Sequence, residues 1–289
     1  MQVYIYAKSS HRDGLEHVRR CAALAKMLQK FKPTLCTGDY RAASMAKSEL
    51  GVRRTMGIDA IGNLRQSMER LDVLLYDGDP LDSEVLAQME AYCSLFYKVG
   101  TELPYDIVDP LYFEHGATTR KYGVFFADDD YANSFYDFVE GSTKHDAALL
   151  MGHYFFMGNE KRLANSFSEV CESEEYETFI KSTEYLLCAS VQSALESLAC
   201  GNKPVFFARN DKEAANAELL EKYGIPVACG ESFDALMEDF YALTQNYPQT
   251  KKIEKFDISN VQKEIAAVFK EYGHIAPSID FGLVSSEKE

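Results

Sequence analysis

Tyr185-Leu-Leu-Cys-Ala-Ser190-Val-Gln-Ser193-Ala-Leu-Glu196-Ser-Leu-Ala-Cys-Gly201-Asn-Lys-Pro204-Val-Phe-Phe-Ala208 is the stretch that decides the fold. Its first four residues are apolar without alternation, as in a strand buried on both faces of a parallel sheet. Residues 191–200 carry apolar side chains at helical spacing up to Gly201, and Pro204–Ala208 is a second apolar run. Two strands joined by a helix make a crossover unit, which in parallel sheets is right-handed.

The same alternation extends in both directions. Downstream, a helix is expected over 211–223, a short strand at Pro226-Val-Ala, and helices near 232–245 and 258–272, followed by a polar, frayed tail at 284–289. Upstream, Gly123-Val-Phe-Phe-Ala127 reads as a strand, 132–140 as a helix and Ala147–Met151 as a strand. A polar helix or loop then covers 158–173, and a helix covers 174–182. Nearer the start, Gln2–Ala7 is a strand, the segment from His17 has apolar residues at 18, 21, 22, 24, 25 and 28, and Pro33–Thr37 is a strand. Leu71–Tyr76 is another doubly buried run that closes on Asp77-Gly78-Asp79-Pro80, ahead of a helix at 82–92 and a strand at 94–99. Residues 101–120, with Pro104, Pro110 and His115-Gly116, have no clean period and mark a boundary. The expectation is an α/β chain of two Rossmann-like, doubly wound domains, 1–118 and 119–289, facing each other across a cleft.

A net charge of −15 repels phosphate backbones, and the basic pairs Arg19-Arg20 and Arg53-Arg54 are too short to line a groove, so nucleic acid is excluded as a partner. No stretch approaches the ~18 uncharged apolar residues of a membrane span. Seven cysteines without a C-x-x-C pair, mostly among apolar neighbours, read as free thiols of a reducing cytoplasm. No Walker A, Gly-x-Ser-x-Gly or His-Glu-x-x-His motif is present.

Two segments carry candidate chemistry. In the first, Ser9-Ser-His-Arg-Asp-Gly14-Leu-Glu-His17-Val-Arg-Arg-Cys-Ala-Ala-Leu-Ala, a loop leaves the first strand and enters a helix at His17. Unpaired N–H groups at a helix start suit an anion, and an imidazole there is a candidate base, though it could equally pack the first turn. Asp77 follows the strand at 71–76 on the same side, where an acid could orient a histidine or simply form the Asp-Gly-Asp-Pro turn. In the second segment, Ser193 and Glu196 are three apart and share a helix face.

Gly14-x-x-His17-Val-Arg-Arg-Cys-Ala-Ala-Leu-Ala resembles the Gly-x-Gly-His-x-x-Arg-Cys-Leu-Ala-Leu-Ala stretch of the PseG/SpsG group. Those are nucleotide-sugar hydrolases and relatives with the GT-B fold, akin to the MurG glycosyltransferases. The 185–224 region, through Asn216-Ala217, is similar to the nucleotide-binding core of that superfamily. The resemblance implies a UDP-sugar held by Gly14, Ser190, Ser193, Glu196 and Asn216, Glu196 taking the ribose hydroxyls. His17 would activate water, with Asp77 as its partner. No cofactor is implied beyond a Mg²⁺ ion arriving with the diphosphate. The activity implied is release of UDP from a bacterial surface or flagellar sugar precursor. A sugar transferase and a non-catalytic binding or assembly protein are the alternatives.

The chain also departs from that pattern. Glu16 stands where the loop glycine is expected, Ala127-Asp128-Asp129-Asp130 replaces Gly-Gly-x-Asp, Ala-Ser-Val-Gln replaces a Gly-rich loop, and Glu213 replaces glutamine. A carboxylate a few ångströms from a phosphate costs on the order of 1–4 kcal/mol. The triple aspartate otherwise reads as a cap for the following helix.

Overall fold

The computed structural model of the chain describes residues 1–58, 61–114, 116–154 and 158–272. His115, Phe155-Phe156 and the 284–289 tail lie outside the described residues.

The first half contains β1 (Val3–Ala7), α1 (Glu16–Met27), β2 (Thr34–Thr37), α2 (Tyr40–Ser48), β3 (Thr55–Gly57), α3 (Ile61–Leu64), β4 (Val73–Asp77), α4 (Ser83–Tyr92) and β5 (Leu95–Lys98). Its strands are parallel, in the order β3-β2-β1-β4-β5. β1 and β4 are buried at every position, as their apolar runs require. Alternate side chains feed two cores: Val3, Ile5, Val73 and Leu75 pack with α1, while Tyr4, Tyr6, Leu74 and Tyr76 face the opposite side.

The second half contains β6 (Arg120–Phe125), α5 (Ser134–Val139), β7 (Ala148–Leu150), α6 (Glu160–Leu163), β8 (Glu169–Cys171), α7 (Tyr176–Ser182), β9 (Thr183–Cys188), α8 (Val191–Ala199), β10 (Lys203–Phe207), α9 (Glu218–Tyr223), β11 (Val227–Ala228), α10 (Phe233–Gln245) and α11 (Ser259–Tyr272). Its parallel sheet runs β11-β10-β9-β6-β7-β8, and it too has a core on each face. The opening segment is thus the centre of a parallel sheet: β9 lies between β10 and β6, with α8 as the crossover to β10. Among the described residues, no helix is long and apolar enough to cross a membrane.

Three expectations need correction. Only the end of the helix read over 211–223 forms, as α9, because Asn216 takes a left-handed φ of 60° and Arg209 pairs with Asp211 to hold the preceding residues as a loop. The polar region 158–173 contains α6 and a three-residue edge strand, β8. The last helix does not join the second sheet. Ile258, Val261 and Ile265 bury in the first core, Gln262 donates to the Met27 carbonyl, and Phe269 packs on Phe31.

Val261→Ala removes two buried methyl groups, at ~0.8 kcal/mol each. It is expected to lower stability by ~1.5 kcal/mol in urea unfolding of the whole chain. An unchanged midpoint would mean that α11 contributes little to the first core.

α1 is the element that joins the halves. Its side chains line the first core, yet it also packs against α8 across the interface. The pair Arg19-Arg20 therefore lies on neither surface, at 5% and 1% exposure.

Candidate active site

The loops after β1 and β4 face those after β6, β9 and β10 across a cleft of about 240 Å³. Gly14, His17, Ser190 and Asn216 line it, together with Arg209 and Lys212. Gly14 sits at φ +80° just before α1, a conformation that L side chains rarely adopt. Ser190 caps α8 by accepting from the Ser193 N–H at 3.1 Å. The α8 start thus turns its backbone donors toward the cleft.

His17 stands in the first turn of α1, and its Nδ1 lies 2.7 Å from Asp77 Oδ1. An ionised carboxylate only accepts, so Nδ1 carries the proton, and in the neutral ring Nε2 keeps its lone pair. Asp77 is the last residue of β4 and is 1% exposed. Arg20, one turn along α1, donates from Nε to Asp77 Oδ2 at 2.8 Å. Burial alone would raise the Asp77 carboxyl; Arg20 and then His17 outweigh it and hold it at about 2. Arg20 also reaches the Tyr105 carbonyl and Gln192 Oε1, both at 3.2 Å, so the partner of His17 is braced against the second half.

The three consecutive aspartates separate in function. Asp128 receives Arg19 from the first half, at 3.0–3.2 Å. Asp129 takes Arg209 Nη1 at 2.5 Å and Lys212 Nζ at 2.9 Å. Asp130 accepts from the Phe135 N–H at the start of α5, the one cap that the sequence led us to expect; burial pushes its carboxyl up to about 7. The acid anticipated in the diphosphate site is thus already neutralised by two cations. Lys212 also donates to the Arg12 and Asp13 carbonyls, and His11 meets the Tyr131 ring edge-on, so loops of the two halves meet beside the cleft.

Ser193 and Glu196 share a face, as their spacing requires, but that face is not the cleft. Every residue of α8 is buried, packed among β9, β10, α1 and α7. Glu196 accepts from the Tyr176 hydroxyl at 2.6 Å and from Gln192 Nε2 at 3.1 Å. The same Tyr176 hydroxyl lies 2.6 Å from Ser193 Oγ. The contact of Glu196 with ribose hydroxyls, expected from the resemblance, is therefore corrected: an interior position with two protein partners leaves no path to a ligand in the cleft.

Arg209, Lys212, Arg20 and Tyr176 were not singled out by sequence reasoning. Lys212 lies in the stretch read as a helix and Arg209 just before it. Arg20 was read only as half of a short basic pair, and Tyr176 meets α8 only through the tertiary fold.

No family model matches the sequence, and no curated protein does. Solved structures share its architecture. The UDP-GlcNAc 2-epimerase of Methanocaldococcus jannaschii, in complex with UDP-GlcNAc and UDP, superposes with a TM-score of 0.53 at 10% identity, over 94% of this chain and 100% of that one. The kitacinnamycin glycotransferase gives 0.50 at 13% identity, over 94% and 95%. The fold is that of the GT-B glycosyltransferases and UDP-GlcNAc 2-epimerases, two parallel-sheet α/β halves around a cleft.

Proposed function

We propose that the chain is a nucleotide-sugar enzyme of the GT-B type that hydrolyses a UDP-sugar, as the PseG-like resemblance implies. The observation that carries this reading is the His17–Asp77 pair in the cleft wall, across from the capped start of α8 and the cations Arg209 and Lys212. In the proposed reaction His17 Nε2 takes a proton from water, and the water oxygen bonds to the anomeric carbon. The bond from that carbon to the phosphate oxygen breaks, and its electron pair leaves with UDP. Arg209, Lys212 and the α8 N–H groups meet the diphosphate. The aspartates that could share a Mg²⁺ ion with it are each held by protein partners, so the two cations are the proposed charge partners.

One observation favours a second reading, a protein that binds without turnover: Asp129 engages both cations of the cleft.

Titration calorimetry with UDP tests the site. Arg209→Ala removes a charge-assisted hydrogen bond, worth ~1.5–3 kcal/mol, and is expected to weaken UDP ~10–100-fold. Absence of UDP binding to the wild type at millimolar ligand would sink both readings. UDP binding without release of free sugar from any UDP-sugar would leave the second.

A further inference from the structure

Four polar groups make an unbroken line from the cleft into the interior. Ser190 Oγ lies 2.9 Å from Ser193 Oγ, which lies 2.6 Å from the Tyr176 hydroxyl, itself 2.6 Å from Glu196 Oε2. All four residues are 3% exposed or less. Each hydroxyl has a single proton, so the line can be ordered in only two senses. With Glu196 protonated, it donates to Tyr176, Tyr176 to Ser193 and Ser193 to Ser190, which leaves the Ser190 O–H for the cleft. As the side chains stand, Ser193 donates to Ser190. With Glu196 ionised, reversing the line requires the Ser190 hydroxyl to turn inward, which leaves only its lone pairs for the cleft. The bond from Ser193 N–H to Ser190 survives in both.

We infer that Glu196, acting through Tyr176 and Ser193, sets whether Ser190 offers the cleft a donor or an acceptor. An anionic ligand group at Ser190 is then bound together with a proton taken up by Glu196. This rests on the reading of the cleft as a diphosphate site. It gives Glu196 a positioning role in place of a direct contact.

The groups around Glu196 permit both states. Burial, the largest influence, raises its carboxyl; Arg19 from α1, Tyr176 from α7 and Gln192 from α8 oppose it, and Asp109 adds to it, leaving the group at about 7. Arg19 lies flat on the Tyr176 ring, 3.3 Å from its centroid, and is paired with Asp128. Tyr112 feels the Glu196 charge, and its hydroxyl and the Cys188 and Cys200 thiols are all pushed up by burial and stay neutral. Glu196 also borders a second cavity of about 500 Å³, lined by Glu49, Glu174 and Glu177 among others, which shares no lining residue with the cleft. The proton thus has an exit that a bound ligand does not block.

The test is calorimetry of UDP and of inorganic pyrophosphate at pH 7, in buffers of different ionisation enthalpy. The wild type is expected to take up a measurable fraction of a proton per ligand, since burial raises the Glu196 carboxyl to about 7. Glu196→Gln and Tyr176→Phe, both near-isosteric, are expected to take up none. In the ligand-free protein, the infrared band of a protonated carboxyl is expected to vanish in Glu196→Gln and to shift in Tyr176→Phe. UDP bound without uptake, or uptake that survives Tyr176→Phe, overturns the relay and leaves the nucleotide reading standing. If neither probe binds, the relay's ligand role and the nucleotide reading fall together.

Discussion

Asp77→Asn is expected to lower folding stability by about 3–5 kcal/mol and turnover by ~10²–10⁴-fold. The stability loss follows from Arg20, a guanidinium 1% exposed that would lose its only carboxylate among the described residues. The turnover loss follows from His17: an amide in place of the carboxylate no longer fixes the Nδ1–H tautomer, so Nε2 is not reliably the base. His17→Ala separates the two effects, because it should reduce turnover by a similar factor while leaving the Arg20–Asp77 pair intact. Urea unfolding measures the first quantity and sugar release the second. Wild-type stability in Asp77→Asn would show that Arg20 is solvated or re-paired. The sign of the acid dependence follows from the same group. Its folded value, about 2, is below the ordinary 3.8, so its contribution is present above 3.8 and is lost as pH falls toward 2. Near two units, that is ~2 kcal/mol which the variant should lack on its acid limb.

Between pH 5 and pH 8 the melting temperature is expected to fall, opposite to the effect of a paired surface carboxylate. Burial holds Glu196, Asp130 and Glu49 at about 7 each, above their ordinary values. A folded value raised above the unfolded one gives a contribution that is complete below about 4.5 and is lost as pH rises through 7. For Glu196 alone the interval is ~2.5 units, on the order of 3 kcal/mol. Glu196→Gln carries no charge to bury, so it should flatten the curve and melt above the wild type at pH 8. A wild-type melting temperature that is constant or rises over this range would contradict the assignment.

These expectations show where sequence reading succeeds and where it stops. The crossover unit from Tyr185 to Ala208 was legible because a doubly buried strand leaves an unbroken apolar run, and because helical spacing survives in α8. β4 was legible for the same reason. β3 and β8 were not: three residues at a sheet edge, half-exposed, carry no periodic signal. His17 stood out through its place between a strand and a helix. The destination of Glu196 could not be read at all. Its spacing from Ser193 gave the shared face correctly, but Tyr176 from α7 and Arg19 from α1 close over that face, and neither contact is legible in the local sequence. The basic pair Arg19-Arg20 was judged as a surface feature, since nothing local shows that Asp77 and Asp128 wait for it. Likewise Ala127–Asp130 looked hostile to a phosphate until Arg209 and Lys212 were seen to fold over Asp129.

The placement of α11 bears on how the chain is made. A ribosome releases α1 and β1 early, yet the residues that cover that part of the core lie on a helix whose Gln262 meets Lys30 at a separation of 232 positions. Until that helix emerges, the amino-terminal half exposes an apolar strip around Leu28 and Phe31. Contacts of such separation form late and slowly. The first sheet is therefore complete in sequence long before the helix that covers this part of its core has been made.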